Sequence, residues 1–163
     1  MTHEAFMEEA ILEAKRAAAE GEVPVGALLV SGQGMVLAKA HNQTITLSDP
    51  TAHAEVLALR SAGKTLGNYR LVNTILYVTM EPCVMCMGAL LHARIAKLVF
   101  GAKDPKWGAA GSLYDLSSDP RLNHKMDVQG GILEKACREL IQAFFKEKRL
   151  VSSVQSPSSR SSY

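Results

Sequence analysis

The sequence predicts an α/β fold around a mixed sheet, and three patterns carry that prediction. Stretches of helical period alternate with short, largely apolar runs of strand length. The first two strand candidates are joined by a tight glycine-rich turn, the mark of an antiparallel hairpin. Each later strand candidate is separated from the next by a helix or a long loop, which favours crossover connections.

The elements follow in order. From His3 to about Glu20, apolar residues recur at Phe6, Ala10, Ile11, Ala14, Ala17 and Ala18, the stripe of an amphipathic helix that Gly21 ends. VGALLV (25–30) and MVLAKAH (35–41) read as strands around the turn SGQG. After the loop NQTITLSDP, a helix is expected from about Thr51 to Ala62, with Asp49 and Pro50 as start signals. TILYVT (74–79) is a third strand, CVMCMGALLHA (83–93) a core helix and KLVFGA (97–102) a fourth strand. A glycine-rich loop leads to a short strand near Met126–Val128 and a closing helix from about Ile132 to Arg149. The ending SSVQSPSSRSSY has seven serines in twelve residues and no apolar face, so residues 152–163 read as a disordered tail behind a domain spanning 1–151.

Composition excludes several classes. Apolar residues at 47% and charged residues at 21% fit an ordinary globular protein, and no apolar run nears the ~18 residues a membrane span needs. The start, MTHEAFMEEAILEAKRA, is acidic and amphipathic, unlike a secretory signal, so a cytoplasmic location with no membrane partner is expected. Residues 1–22 hold six acids and two bases, whereas residues 23–163 hold sixteen bases and ten acids. That basic remainder suits an anionic partner, and equally a solvated charged surface. Three cysteines are too few for a disulfide scaffold; Cys137, within LEKACREL, reads as a small buried residue.

Cys83 and Cys86, in MEPCVMCMGA, are a close pair of the kind that binds metal in a reducing compartment. A catalytic zinc takes three protein ligands and keeps a fourth position for water, so a histidine is the natural third ligand. His92 falls about 180° around the same helix from Cys83, and His3 sits among the charges of the first helix. His53 is the best placed: in DPTAHAEVLAL it opens a helix and has Glu55 two residues on. Pro82 likewise puts Cys83 at a helix start. Two helix N-termini would then face one metal, their positive ends favouring thiolates and hydroxide. Zinc brings the pKa of water to about 7, and a carboxylate such as Glu55 can carry the proton to a substrate ring nitrogen and later to a departing amine. One metal, one hydroxide and one shuttle suffice for hydrolytic deamination.

HAE, 26 residues and then PCxxC is the signature of zinc-dependent base deaminases. From about Phe6 to Arg149 the sequence resembles the bacterial tRNA adenosine deaminases of the cytidine deaminase-like superfamily. GEVPVGALLV, HNQTITLSDPTAHAE, LYVTMEPCVMC, VFGAKDPKWGAAGSL, NHKMDVQGGIL and FFKEKR carry the likeness. The resemblance implies a three-layer α/β/α cytidine deaminase-like fold with a central mixed five-stranded sheet. It implies a homodimer with one Zn2+ per subunit on His53, Cys83 and Cys86, and Glu55 as catalytic proton shuttle. The implied substrate is adenosine at the wobble position of a tRNA anticodon stem-loop, converted to inosine with release of ammonia. It also implies a substrate-binding set of Asn42, Ala54, Asp104, Lys106, Phe144 and Phe145.

From the residues alone, HNQT around Asn42 is a good turn, although its amide can also pair with a purine edge; the resemblance favours the base contact. Asp104 is a candidate for the ribose 2′-hydroxyl. Phe144 and Phe145, beside Lys146, Lys148 and Arg149, suit an unstacked RNA loop, with one phenylalanine expected in the core and the other near substrate. Met80, Met87 and Trp107 stand where relatives often carry smaller residues. Two rivals remain: a deaminase of free cytosine, guanine or deoxycytidylate, with the same zinc and glutamate, and a non-enzymatic zinc-stabilised module. The extended likeness and the basic aromatic helix oppose the first; the lack of a fourth protein ligand opposes the second.

Overall fold

The computed structural model describes residues 1–154. Four helices and five strands run in the order α1 (His3–Ala19), β1 (Gly26–Ser31), β2 (Val36–His41), α2 (Ala54–Leu66), β3 (Thr74–Met80), α3 (Val84–His92), β4 (Lys97–Ala102), β5 (Asp127–Gln129) and α4 (Glu134–Val154). The strands form one sheet ordered β2-β1-β3-β4-β5, as expected of a mixed five-stranded sheet. β1 pairs antiparallel with both β2 and β3, while β3–β4 and β4–β5 are parallel.

The layers follow from alternation within the strands. Ala27 and Leu29 of β1, Leu76 and Val78 of β3, and Leu98 and Phe100 of β4 pack with Ala54, Ala58 and Ala62 of α2 and Met87 and Leu90 of α3. The intervening Leu28, Val30, Tyr77 and Val99 face the other way, onto Phe6, Met7, Ala10 and Ile11 of α1 and Cys137 of α4. Side chains alternate across a strand, so apolar residues at every position mean a sheet covered on both faces. The result is α2 and α3, then the sheet, then α1 and α4.

Element boundaries moved in three places. α2 begins three residues later than expected because Asp49 accepts from the backbone N–H and the hydroxyl of Thr51 at 2.8 and 2.7 Å, spending the start signal on a turn. It ends at Gly67, whose left-handed φ of 64° supplies the stop that the expected end at Ala62 lacked. α4 continues past Arg149 to Val154; the rest of the expected tail, residues 155–163, lies outside the described residues.

α1 lies close on the sheet through Gly26. A Cβ there would fall onto the Ala10 carbonyl oxygen and within 2.8 Å of Glu13 Cβ. Gly26→Val should therefore push α1 off β1 and cost about 1–3 kcal/mol. A urea titration checks this; an unchanged midpoint would mean that α1 does not need the close approach.

Candidate active site

At the edge of the sheet where β2, β3 and β4 end and β1 begins, the chain leaves the sheet in three loops, the usual place for a ligand site in an α/β fold. A cavity of about 700 Å³ opens there. Asn42, His53, Glu55, Glu81, Cys83, Asp104, Lys106 and Trp107 are among the residues that line it.

His53 and Cys83 are the N-cap residues of α2 and α3, both extended in backbone conformation, and neither side chain caps its own helix. An N-cap side chain normally accepts a hydrogen bond from the first turn. Here Asn42 does that work for α2, its side-chain oxygen accepting from the Ala54 backbone N–H at 2.8 Å. The imidazole of His53 is thereby left to face the α3 pair. Its Nδ1 is 3.7 Å from Cys83 Sγ and 3.4 Å from Cys86 Sγ, and one ligand atom from each of the three residues lies within 4.8 Å of the others. Tetrahedral zinc with its usual bond lengths to sulfur and nitrogen would hold those atoms about 3.5 Å apart, so the donor set fits zinc in both chemistry and spacing.

The three groups are electrostatically coupled. A hydrogen bond with Cys86, followed by that with His53, draws the Cys83 thiol down to about 4 against the burial that opposes it. The same bond with Cys83, together with burial, pushes Cys86 up. His53 is raised, chiefly by its hydrogen bond to Cys83. Glu55, 4% exposed in the first turn of α2, is raised by burial, opposed by its own backbone N–H and by His53. A carboxyl held above its ordinary range beside a metal-ligating cluster is the profile of a proton carrier.

Of the expected substrate residues, Asn42, Asp104 and Lys106 line the cavity. Ala54 is fully buried and enters through its backbone N–H to Asn42. Asp104 Oδ1 accepts from the N–H groups of Lys106 and Trp107 at 3.0 and 3.2 Å, folding that loop back on itself. Phe144 and Phe145 are placed elsewhere on α4, edge to face at 5.5 Å with Lys148 Nζ 5.4 Å above the Phe144 ring. Neither belongs to the buried core, which corrects the expectation of one core phenylalanine: only the half-exposed face of α4 is available at these positions. His3 also differs from expectation, because its Nδ1 lies 2.8 Å from the hydroxyl of buried Tyr77. His92 is exposed at the far end of α3, as its angle on the helix predicted.

Two acids were not singled out from the sequence. Glu22 is fully buried and accepts from the Thr44 hydroxyl, the Ile45 N–H, and the N–H and hydroxyl of Thr46. It thereby fixes the loop after Asn42. Glu81 does the same for the loop after β4. The only advance signal was position, each acid standing next to an otherwise apolar strand entrance or exit.

Residues 1–102 match the family described as the cytidine and deoxycytidylate deaminase zinc-binding region, the class that this fold and donor set define. The tRNA-specific adenosine deaminase of Bacillus subtilis is 49% identical over 146 residues, covering 90% of each chain. That of Haemophilus influenzae is 47% identical over 146 residues, 90% of this chain and 84% of its own. A solved structure from studies of A-to-I editing at the wobble position of transfer RNA superposes with a TM-score of 0.81 at 46% identity, over 83% of this chain and 98% of its own. The chain belongs to the tRNA-specific adenosine deaminase family.

Burial works against the ionised form of Glu22, but its four hydrogen bonds prevail and lower its pKa below 4.5. A lowered carboxylate stabilises the fold above its unfolded pKa, and that contribution disappears as pH falls through the folded value. Glu22→Gln should therefore lose stability at pH 7, with the deficit narrowing below about pH 4.5. Chemical denaturation across pH measures it; a deficit independent of pH would contradict the assignment.

Proposed function

We propose that this chain hydrolytically deaminates adenosine to inosine at the wobble position of a tRNA anticodon, releasing ammonia. The observation that carries the reading is the buried Glu55 carboxyl next to a His53, Cys83 and Cys86 cluster of zinc spacing, in one cavity large enough for a base and its neighbours. The family membership supplies the adenosine and the tRNA.

His53, Cys83 and Cys86 would hold the zinc. When bound, zinc supplies the acidification of water that makes a hydroxide nucleophile available at neutral pH. The chain's own groups do the rest. The N-termini of α2 and α3 direct positive dipole ends at the cluster and stabilise negative charge there. Glu55 takes a proton from the attacking water and gives it to the ring nitrogen beside the amine-bearing carbon, which makes that carbon electrophilic. It then takes the proton of the newly added hydroxyl and delivers it to the amine. The carbon–nitrogen bond breaks, ammonia leaves and the ring keeps a carbonyl oxygen. Asn42, its oxygen occupied by Ala54, uses its amide NH2 to orient the purine.

Lys106 and the basic face of α4, with Phe144 and Phe145, serve the RNA backbone and unstacked bases beyond the cavity, and Asp104 reads the ribose. Residues 1–151 act as one zinc-dependent deaminase domain in the cytoplasm, where tRNA is available. A homodimer is supported by the groove between α2 and α3, where Val56, Leu59, Tyr69 and Ala89 give an apolar surface. No helix of the described residues is long and apolar enough to cross a membrane.

The test compares ammonia release and product mass for an anticodon stem-loop with wobble adenine, free adenosine, and a set of cytosine and guanine compounds. Turnover of the stem-loop is expected; turnover of a free base or nucleotide instead would overturn the RNA assignment. In the same assay Glu55→Ala should keep its zinc and lose at least ~10²-fold in kcat. Cys86→Ala should lose zinc and turnover together, and stoichiometric zinc in that variant would remove Cys86 from the ligand set.

A further inference from the structure

Beyond the metal cluster and its shuttle, the cavity depends on a loop without regular structure. Residues 103–113 carry Asp104, Lys106, Trp107 and Leu113 to the cavity wall, and their neighbour Tyr114 completes the rim. Trp107 is 69% exposed, with Leu113 and Tyr114 more than half exposed. Large apolar groups held in solvent need something beneath them to fix where they sit.

Glu81 lies beneath them. It is 3% exposed, and every hydrogen bond its carboxylate accepts comes from this loop. Oε1 accepts from the Asp104 N–H at 3.1 Å and from the Ser112 hydroxyl; Oε2 accepts from the N–H groups of Ala110 and Ser112, both at 3.0 Å. Gly108 closes over the group, where a Cβ would overlap both the carboxylate and the Asp104 carbonyl oxygen. No lysine or arginine of the described residues pairs with Glu81. A buried carboxylate is costly without partners, and here backbone N–H groups meet that need through charge-assisted hydrogen bonds.

Its place in the chain gives the arrangement its meaning. Glu81 stands two residues before Cys83, on the short link from β3 to α3. The link is tied to the same loop by its main chain, the Ala109 N–H donating to the Pro82 carbonyl at 2.8 Å. The segment that presents two metal-ligating sulfurs and the segment that presents Trp107 are therefore one unit, joined through Glu81.

We propose that Glu81 is a positioning residue for RNA. By holding loop 103–113 to the Cys83–Cys86 arm, it fixes the distance between the reacting base and an exposed platform, centred on Trp107, on which a flanking unpaired base stacks. Base stacking on an exposed aromatic face is a strong and sequence-tolerant contact, which suits a strand entering a cavity from a loop. The inference rests on the tRNA deaminase reading above.

The test uses the full-length zinc-loaded protein and Glu81→Gln, which keeps the size but turns one acceptor oxygen into a donor. Hydrogen exchange across 103–113, zinc content, stem-loop affinity by fluorescence anisotropy, and KM and kcat are measured together. The expected result is faster exchange confined to 103–113 and zinc still at one per chain. Stem-loop affinity and KM should weaken about tenfold, on the scale of a lost stacking contact, with kcat changed much less. Wild-type exchange and affinity in the variant would overturn the proposal. So would a uniform rise in exchange with loss of zinc, which would make Glu81 a general support of the fold. Should Glu81→Gln fail to fold, Ser112→Ala removes one donor only and should shift loop exchange and affinity in the same direction; no shift in either overturns the assignment. If the unaltered protein does not turn over the stem-loop, the proposed activity fails, and the exchange result still decides whether Glu81 holds the loop.

Discussion

A helix start usually consumes the side chain at its N-cap to satisfy its own N–H groups, and the site depends on two helices that do not follow this habit. His53 and Cys83 both occupy N-cap positions with extended backbone and no capping bond, so their side chains can converge across the gap between α2 and α3. At α2 the N–H need is met from outside the helix. Asn42, at the end of β2, reaches the first turn of α2. The sheet makes this possible: β1 places the end of β2 and the end of β3 at one edge, so the residues following each strand meet. The metal site is thus a product of strand order as much as of the residues that bind it.

Around this cluster the protein spends buried carboxylates on loops rather than on ion pairs. Glu22 and Glu81 each accept hydrogen bonds from the main chain of one cavity loop, and both are almost completely out of solvent. A carboxylate gathering backbone N–H groups defines loop geometry more sharply than an apolar contact, because each bond has a direction and the unmade bond is costly. Glu55 shares their burial but differs in its surroundings. Its pKa is raised by burial, whereas that of Glu22 is lowered by its hydrogen bonds. Environment alone sets these two buried acids apart.

Much of this was legible in the sequence because its signals are local. The spacing of His53, Glu55, Cys83 and Cys86 falls within two short motifs at helix starts, and the order of helices and short strands pointed to a mixed sheet. Helix boundaries were less legible where capping decided them: Asp49 was spent on the turn to Thr51, and the left-handed Gly67 set the end of α2. The anchoring acids were not legible at all. Their partners lie 22 to 31 residues away and are mostly main-chain N–H groups, which have no residue identity to read. Glu13 and Glu22 sit in an acidic opening that composition describes as solvated, yet both are buried. Phe144 and Phe145 show the converse: one of the two was expected in the core, while their place on α4 leaves both outside it.

Three protein ligands would hold the metal and leave one position for water, which separates a hydrolytic site from a structural zinc. X-ray absorption at the zinc edge of the purified protein tests that directly. Two sulfur neighbours at about 2.3 Å and two lighter neighbours at about 2.0 Å are expected, only one of the lighter pair showing the outer-shell scattering of an imidazole. Three or four sulfurs, or a second imidazole, would close the fourth position and make the zinc structural.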